Sequence, residues 1–338
     1  MKLVFSKSEL SKAVGIVMKA VPTRTTMNIL ECILIDATTN VIKFTSNDME
    51  LGIETIVEGE IIEKGKVAIE AKLFSEIVRR FPDNEVTIST DSNYTSLITC
   101  EKSKINIAGK SGEDFSFLPI IDKDKMITIS QFNLKEIINQ TIFSTAPNDN
   151  NKMMTGELFE VSDNTLKVVG LDGHRIAIRS IQLEGRADDV KAVVPGKTLQ
   201  EISKLMSTDA ENMVNIYFTN NHILFEFDNT IVVSRLIEGE YFKINQMLSS
   251  DYETKVVINK KEFIGSIDRA NLLITESEKK PIIINITDGS LEVTVNSSKG
   301  KFNEDINIKK EGKDLMIGFN PKFLMDALRV IAVSYTHL

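Results

Sequence analysis

Tryptophan is absent from the 338 residues, and Phe and Tyr bring the aromatic share to only 7%. A base-stacking platform of the kind single-strand binders use therefore has little to stand on. The 2 cysteines, Cys32 and Cys100, both lie among strand-like residues. They read as small buried apolar groups, and neither anchors a disulfide framework or a zinc spacing. With His174, His222 and His337 as the 3 histidines, no metal cluster or acid–base set assembles at recognisable spacing, and no cofactor is called for. No apolar run approaches the roughly 18 residues that span a bilayer, and the opening Met1-Lys2-Leu3-Val4-Phe5-Ser6-Lys7 reaches charge too soon for a secretory core. The expected location is cytoplasmic, away from membranes. Positive charge is not in excess either: 48 acidic against 40 basic residues leave a net −8. That excludes a surface that adheres to nucleic acid everywhere and leaves room for a local basic patch aimed at phosphates.

What is present is an ordinary globular composition, 42% hydrophobic and 26% charged, in a chain long enough for two or three cores. The chain also repeats itself. A strand, a short turn and an amphipathic helix read Val67-Ala68-Ile69-Glu70-Ala71-Lys72-Leu73-Phe74-Ser75-Glu76-Ile77. They recur as Val193-Val194-Pro195-Gly196-Lys197-Thr198-Leu199-Gln200-Glu201-Ile202 and as Ile317-Gly318-Phe319-Asn320-Pro321-Lys322-Phe323-Leu324-Met325-Asp326-Ala327. Lys72, Lys197 and Lys322 are 125 residues apart each time. A fixed period of this kind marks a repeated structural unit. A second helix heads each repeat, with apolar positions at i, i+3, i+4 and i+7: Leu10, Ala13, Val14, Val17; Leu134, Ile137, Ile138, Thr141; and Phe263, Ser266, Ile267, Ala270. Between the two helices, Cys32 to Phe44, Leu158 to Val169 and Ile282 to Val295 alternate around the turns Thr39-Asn40, Asp163-Asn164 and Asp288-Gly289, the pattern of hairpins.

The expected fold is α+β, with three domains of two helices on antiparallel sheets at 1–122, 123–248 and 249–338. The third is incomplete: about 40 residues follow the second helix of repeat one, with strand-like runs at Glu85 to Ser89 and Ser103 to Ala108, whereas seven follow Ile331.

At 100° per residue, Leu73, Phe74, Ile77, Val78 and Phe81 fall on one side of their helix, with Lys72 and Arg79 on the other. Repeat two puts Lys197 and Lys204 at the matching positions, and repeat three Lys322 and Arg329. One such helix is ordinarily a solvated face trimmed by i, i+4 pairs, here with Glu76, Glu201 and Asp326. An acidic chain that carries the same basic pair three times favours a set of helices turned toward phosphates. Other motifs fail. Gly196-Lys197-Thr198 has Lys191 where a phosphate loop needs its first glycine, and Gly109-Lys110-Ser111 has Lys104 there. Asp122-Lys123-Asp124 and Asn148-Asp149-Asn150-Asn151 lack the glycine and terminal glutamate of a calcium loop. Without paired carboxylates or a nucleophile no active site is expected, which sets aside a DNA-processing enzyme.

The one dense cluster, Asp172-Gly173-His174-Arg175-Ile176-Ala177 after the strand Leu166 to Val169, reads by itself as a capped bend with two exposed cations. Set in the middle one of three repeats, and joined by Leu158-Phe159-Glu160, Leu236-Ile237-Glu238-Gly239 and Ile317-Gly318-Phe319-Asn320, it resembles the bacterial DNA polymerase III beta subunit, the sliding clamp family. The resemblance runs from residue 1 to about 331. It implies two subunits closed head to tail around duplex DNA, helices lining the hole, and a non-enzymatic processivity factor. Its outer face tethers the DNA polymerase III catalytic subunit, the clamp loader and other peptide-motif partners. A monomeric clamp-like peptide-binding regulator that has lost ring closure is the alternative.

Carried over by position, the resemblance implies a peptide pocket from Met154, Leu171, Gly173, His174, Arg175 and Ile176, with Phe242 and Met247 near the domain junction. Tyr241-Phe242-Lys243-Ile244 stands where many clamps have Phe-Pro-Asp-Tyr, and the final strands that complete the family's pocket are missing. The resemblance places Arg24, Lys72, Arg79 and Lys197 toward DNA; internal repetition adds Lys204, Lys322 and Arg329. Ile105 and Ile107 on an edge strand, with Leu272 and Leu273, match the family's dimer interface. Residues 332–338 match nothing in the family and read as a foreign segment.

Overall fold

The computed structural model describes residues 1–185, 187–248, 251–275, 280–331 and, for the backbone alone, 335–337. Repeat one begins with β1 (Lys2–Ser6), which runs directly into α1 (Lys7–Val17) because the Ser6 hydroxyl accepts the Glu9 N–H at 3.2 Å and closes the first turn. There follow β2 (Cys32–Asp36), β3 (Ile42–Asn47), β4 (Leu51–Val57), β5 (Glu60–Glu63), β6 (Lys66–Glu70), α2 (Ala71–Arg80), β7 (Glu85–Thr90), β8 (Thr95–Cys100) and β9 (Ser103–Ser111). Repeat two has β10 (Lys125–Ser130), α3 (Gln131–Asn139), β11 (Gly156–Ser162), β12 (Thr165–Leu171), β13 (Ile176–Gln182) and β14 (Val190–Pro195). It continues with α4 (Gly196–Leu205), β15 (Met213–Phe218), β16 (His222–Phe227) and β17 (Thr230–Arg235). Repeat three has β18 (Thr254–Asn259), α5 (Lys260–Asn271), β19 (Ile282–Thr287), β20 (Ser290–Ser297), β21 (Gly300–Gly312), β22 (Leu315–Phe319), α6 (Pro321–Val330) and β23 (Tyr335–His337).

The class is the expected α+β with antiparallel pairing, and the three expected hairpins are β2 with β3, β11 with β12, and β19 with β20. At the turn of the second, Asp163 and Asn164 have φ of 49° and 56°, the left-handed backbone a tight hairpin needs. Three strands follow α2 and three follow α4; after α6 the described chain holds only the short β23, paired with Val257–Asn259 of β18. Of the segment assigned above as foreign, residues 332–334 and 338 lie outside the described residues.

The chain forms two compact units. The first comprises Met1–Ile138, Thr145–Gly170 and Ile178–Gly239. Repeats one and two share it because β17 adds to β4, from Thr230 opposite Thr55 to Ser234 opposite Leu51, with the two buried threonine hydroxyls 2.9 Å apart. The result is a 13-stranded sheet, ordered β10-β15-β16-β17-β4-β3-β2-β6-β9-β8-β7-β1-β5. The connection between the repeats lies on it, Leu118 and Ile121 packing against Tyr217, Leu224 and Val233. The core of repeat one centres on Phe5, Phe44 and Phe74, each fully buried, with ring centroids 5.9 Å and 6.3 Å apart in sequence. Each buried ring contributes about 1.5–3 kcal/mol. The four residues expected to face inward from α1, Leu10, Ala13, Val14 and Val17, are its buried residues. On α2 one expectation fails. Leu73 is 44% exposed, because it sits at the edge of the apolar stripe and Ala71, Phe74, Ile77 and Val78 fill the interface. Cys32 and Cys100 are buried and unbridged, as expected.

The second unit comprises Asn139–Ser144, Leu171–Ala177 and Glu240–Leu338. Its sheet runs β22-β19-β20-β21-β18-β23. The 13-residue β21 pairs first with β20 and then with β18. Phe263, Ile267 and Ala270 of α5, with Met325 and Leu328 of α6, close the core over Ile282, Ile284, Leu291 and Val293.

Candidate functional site

The helices α2, α4 and α6 begin at Ala71, Gly196 and Pro321, each 125 residues after the last. Their starts differ in detail: Asn320 caps α6 by accepting the Lys322 N–H at 3.0 Å, with Pro321 at the first helical position, whereas Glu70 and Pro195 give no side-chain cap. Their faces do not differ. Lys72 and Arg79, Lys197 and Lys204, and Lys322 and Arg329 are all exposed, one pair per helix and opposite the buried stripe. The last turn of each carries a cation, which suits the negative end of the helix dipole.

The acids that follow the lysines by four residues pair differently from the i, i+4 expectation. Glu76 meets Arg79 at 2.6 Å and Arg80 at 3.0 Å, and Glu201 meets Lys204 at 2.7 Å and Lys19 at 3.7 Å. The Arg79 hydrogen bond, helped by Arg80, holds the Glu76 carboxyl below the usual carboxylate range. Lys197 turns to Asp48 at 2.7 Å, and Gly196-Lys197-Thr198 forms the first turn of α4. Asp326 pairs with Arg175 at 2.9 Å. Arg24 is exposed in the stretch between α1 and β2.

The Asp172-Gly173-His174-Arg175 turn is tighter than a simple bend. Gly173 has φ 83°, a conformation that strains residues with a Cβ. Asp172 Oδ1 accepts the N–H groups of His174 and Arg175 at 3.1 and 3.2 Å. The Arg175 guanidinium donates to Asp172 Oδ2 and to Asp326 Oδ2, both at 2.9 Å, and lies 4.3 Å from the Phe323 ring centroid and 5.3 Å from that of Phe143. Its side chain is 16% exposed, so the reading of two exposed cations holds for His174 and fails for Arg175. His174 lies over Phe323 at 5.7 Å. Charge-assisted bonds on both sides and an aromatic face make this a fixed strut.

Around it in the same unit, Leu171 is buried and Ile176 half-buried. Phe242 packs edge-on against Tyr241 at 5.4 Å, and Met247 is 52% exposed. Met154 belongs to the other unit, half-buried, its carbonyl accepting the Ala146 N–H at 2.8 Å. Phe143 escaped the sequence reading, Phe323 entered it only as part of the repeated helix, and Asp326 only there and as a partner for Lys322. No local signal ties any of them to the turn.

Of the interface candidates, Ile107 is buried and Ile105 half-buried on β9. Residues Ser103–Ala108 pair with β8, and Gly109–Ser111 pair with β6. Among the described residues, the other edge of 103–108 has no strand partner. Leu272 is 74% exposed at the end of α5, while Leu273 packs on the third repeat's core.

Three family models match in series: DNA polymerase III beta subunit N-terminal domain over residues 1–119, central domain over 128–243 and C-terminal domain over 245–338. The chain is 36% identical over 324 residues to the beta sliding clamp of Staphylococcus epidermidis strain RP62A, covering 93% of this chain and 86% of that one. It superposes with a TM-score of 0.96 on a crystal structure from Eubacterium rectale ATCC 33656 assigned to the DNA polymerase III beta subunit, at 64% identity, covering 100% of this chain and 92% of the other. Against the DNA polymerase sliding clamp of Bacillus subtilis the TM-score is 0.95 at 32% identity, with the same coverage.

Proposed function

The chain belongs to the DNA polymerase III beta subunit family, the bacterial sliding clamps, and on that premise we propose how it holds DNA and its partners. It is a DNA sliding clamp, a processivity factor. Two copies close head to tail around duplex DNA, in the cytoplasm, and turn the exposed faces of α2, α4 and α6 toward the phosphates. Arg24, Lys72, Arg79, Lys197, Lys204, Lys322 and Arg329 make the contacts. Phosphate contacts hold position without reading sequence, so the ring slides. The observation that carries this reading is one basic pair, seven residues apart, exposed on three helices of a chain whose net charge is −8. The acidic remainder keeps the outer surface off nucleic acid.

The β17–β4 junction supports the closure. There the last strand of one repeat extends the sheet of the repeat before it. β9 is the corresponding last strand of repeat one, with an open edge over 103–108, and β21 is repeat three's counterpart of β4. A second copy joins β9 to β21 in the same manner, with Ile105 and Ile107 meeting Leu272 and Leu273; Leu273 already lies beside Gly300, where β21 starts. Partners, including the polymerase catalytic subunit and the clamp loader, dock extended peptides against Met154, Leu171, Gly173, His174, Arg175, Ile176, Phe242 and Met247, an apolar set with polar edges. Tethering raises the local concentration of polymerase at the primer end, and the clamp itself performs no chemistry.

Charge reversal at Lys72, Arg79, Lys197 and Lys204 tests the inward helices. Retention on circular DNA falls, most at low salt, and the deficit relative to the unaltered protein narrows as salt rises. Retention equal to that of the unaltered protein contradicts the reading.

A further inference from the structure

The acid that follows each helix lysine by four residues has two fates. On α2, Glu76 covers Arg79 and Arg80; on α4, Glu201 covers Lys204, and Asp48 covers Lys197. On α6, Asp326 stands at the same spacing from Arg329 as Glu76 from Arg79, yet its Oδ2 takes the Arg175 guanidinium at 2.9 Å. Arg175 is held from its other side by Asp172 and lies 4.3 Å from the Phe323 centroid. The Arg175 and Asp326 side chains are 16% and 22% exposed, against 69% and 45% for Arg79 and Glu76, so their attraction is less screened. Among the described residues, Lys322 and Arg329 have no ion-pair partner, and both are exposed.

We propose that Arg175 is a positioning residue for DNA binding: it holds Asp326 away from the basic face of α6, so that this helix presents both cations to phosphates unneutralised. A carboxylate about 3 Å from a lysine or arginine competes with phosphate for it, and contacts to DNA through Arg79, Lys197 or Lys204 begin by breaking such a pair. On α6 nothing has to be broken. The acid–cation spacing is the same on all three helices, so what distinguishes α6 is the arginine that arrives from the turn. The inference rests on the DNA-facing reading of these helices.

The test is fluorescence anisotropy of a labelled duplex titrated with the full chain over a range of salt. Arg175→Gln frees Asp326 to pair with Arg329. Binding weakens about fivefold, the worth of one exposed ion pair, and the slope of log affinity against log salt falls by about 0.9, one phosphate contact. Adding Asp326→Asn to Arg175→Gln restores both, which loss of fold does not do. Two surface variants check the idea without touching Arg175: Glu76→Gln tightens binding and steepens the slope, while Asp326→Asn alone does neither. Unchanged binding by Arg175→Gln, a double variant no better than that single variant, or Asp326→Asn tightening as much as Glu76→Gln each overturns the proposal. Lys322→Glu with Arg329→Glu separates the two levels. If that pair weakens binding and Arg175→Gln does not, only the positioning role falls; if the pair changes nothing, the DNA-facing reading of α6 falls with it.

Discussion

Arg175 meets groups from three stretches of the chain, Phe143, Asp172 and the α6 residues Phe323 and Asp326. Asp172 and Gly173 make the turn legible, since a short acceptor and a glycine are what a bend with φ 83° asks for. The strut was not legible, because Asp326 is 151 residues away and its own helix offers it two nearer cations. Single residues also set the acid response. Burial, then the Arg235 charge across the β16–β17 pair, pulls the His222 imidazole below its ordinary value. In the window between that lowered value and about 6.5, the unfolded chain binds the proton that the folded chain refuses. Stability therefore falls as pH drops through the window, and His222→Asn makes that fall shallower, as denaturant titrations at pH 7 and about pH 5 will record. An unchanged pH slope in the variant contradicts the assignment.

Elements announced themselves unevenly. The first helices of repeats one and three were legible to the residue, because one buried stripe at 3.6-residue spacing leaves a pattern that tertiary context preserved: Phe263, Ser266, Ile267 and Ala270 are the buried residues of α5. In repeat two Leu134, Ile137 and Ile138 face inward as expected, but α3 ends at Asn139, so Thr141 is buried beyond it and Gln131 is the helix's fourth buried residue. Leu73 was not legible, because a residue at the stripe's edge is inside or outside according to how closely its neighbour packs. The strands β5, β8 and β13 also passed unread; Thr95–Cys100 is short and half polar, and its partners decide that it is a strand. β9 carries a constraint that pattern does not reveal. At Gly109 it passes from β8 to β6, and a Cβ there would sit 2.6 Å from the Tyr94 carbonyl oxygen and 2.8 Å from Val67. Backbone cannot yield as a flexible side chain does. Gly109→Ala is expected to destabilise the protein by about 1–3 kcal/mol in equilibrium unfolding, and a value near zero contradicts the strand crossing described here.

At the scale of the whole molecule, the repeat of 125 residues carried the reading, because three matching helices say more than any one of them. The joining of repeats one and two through β17 and β4 was invisible in sequence, since pairing between distant edges leaves no local mark. The charge balance is of the same scale: an acidic chain with one repeated basic face is suited to surround DNA without adhering to it. Threading is the central claim, and topology tests it most directly. Clamp loaded on nicked circular duplex is passed through gel filtration before and after one restriction cut. The account predicts that protein stays with the circle and leaves the linear form by sliding off its ends. Equal retention on both forms, or none on the circle, contradicts it.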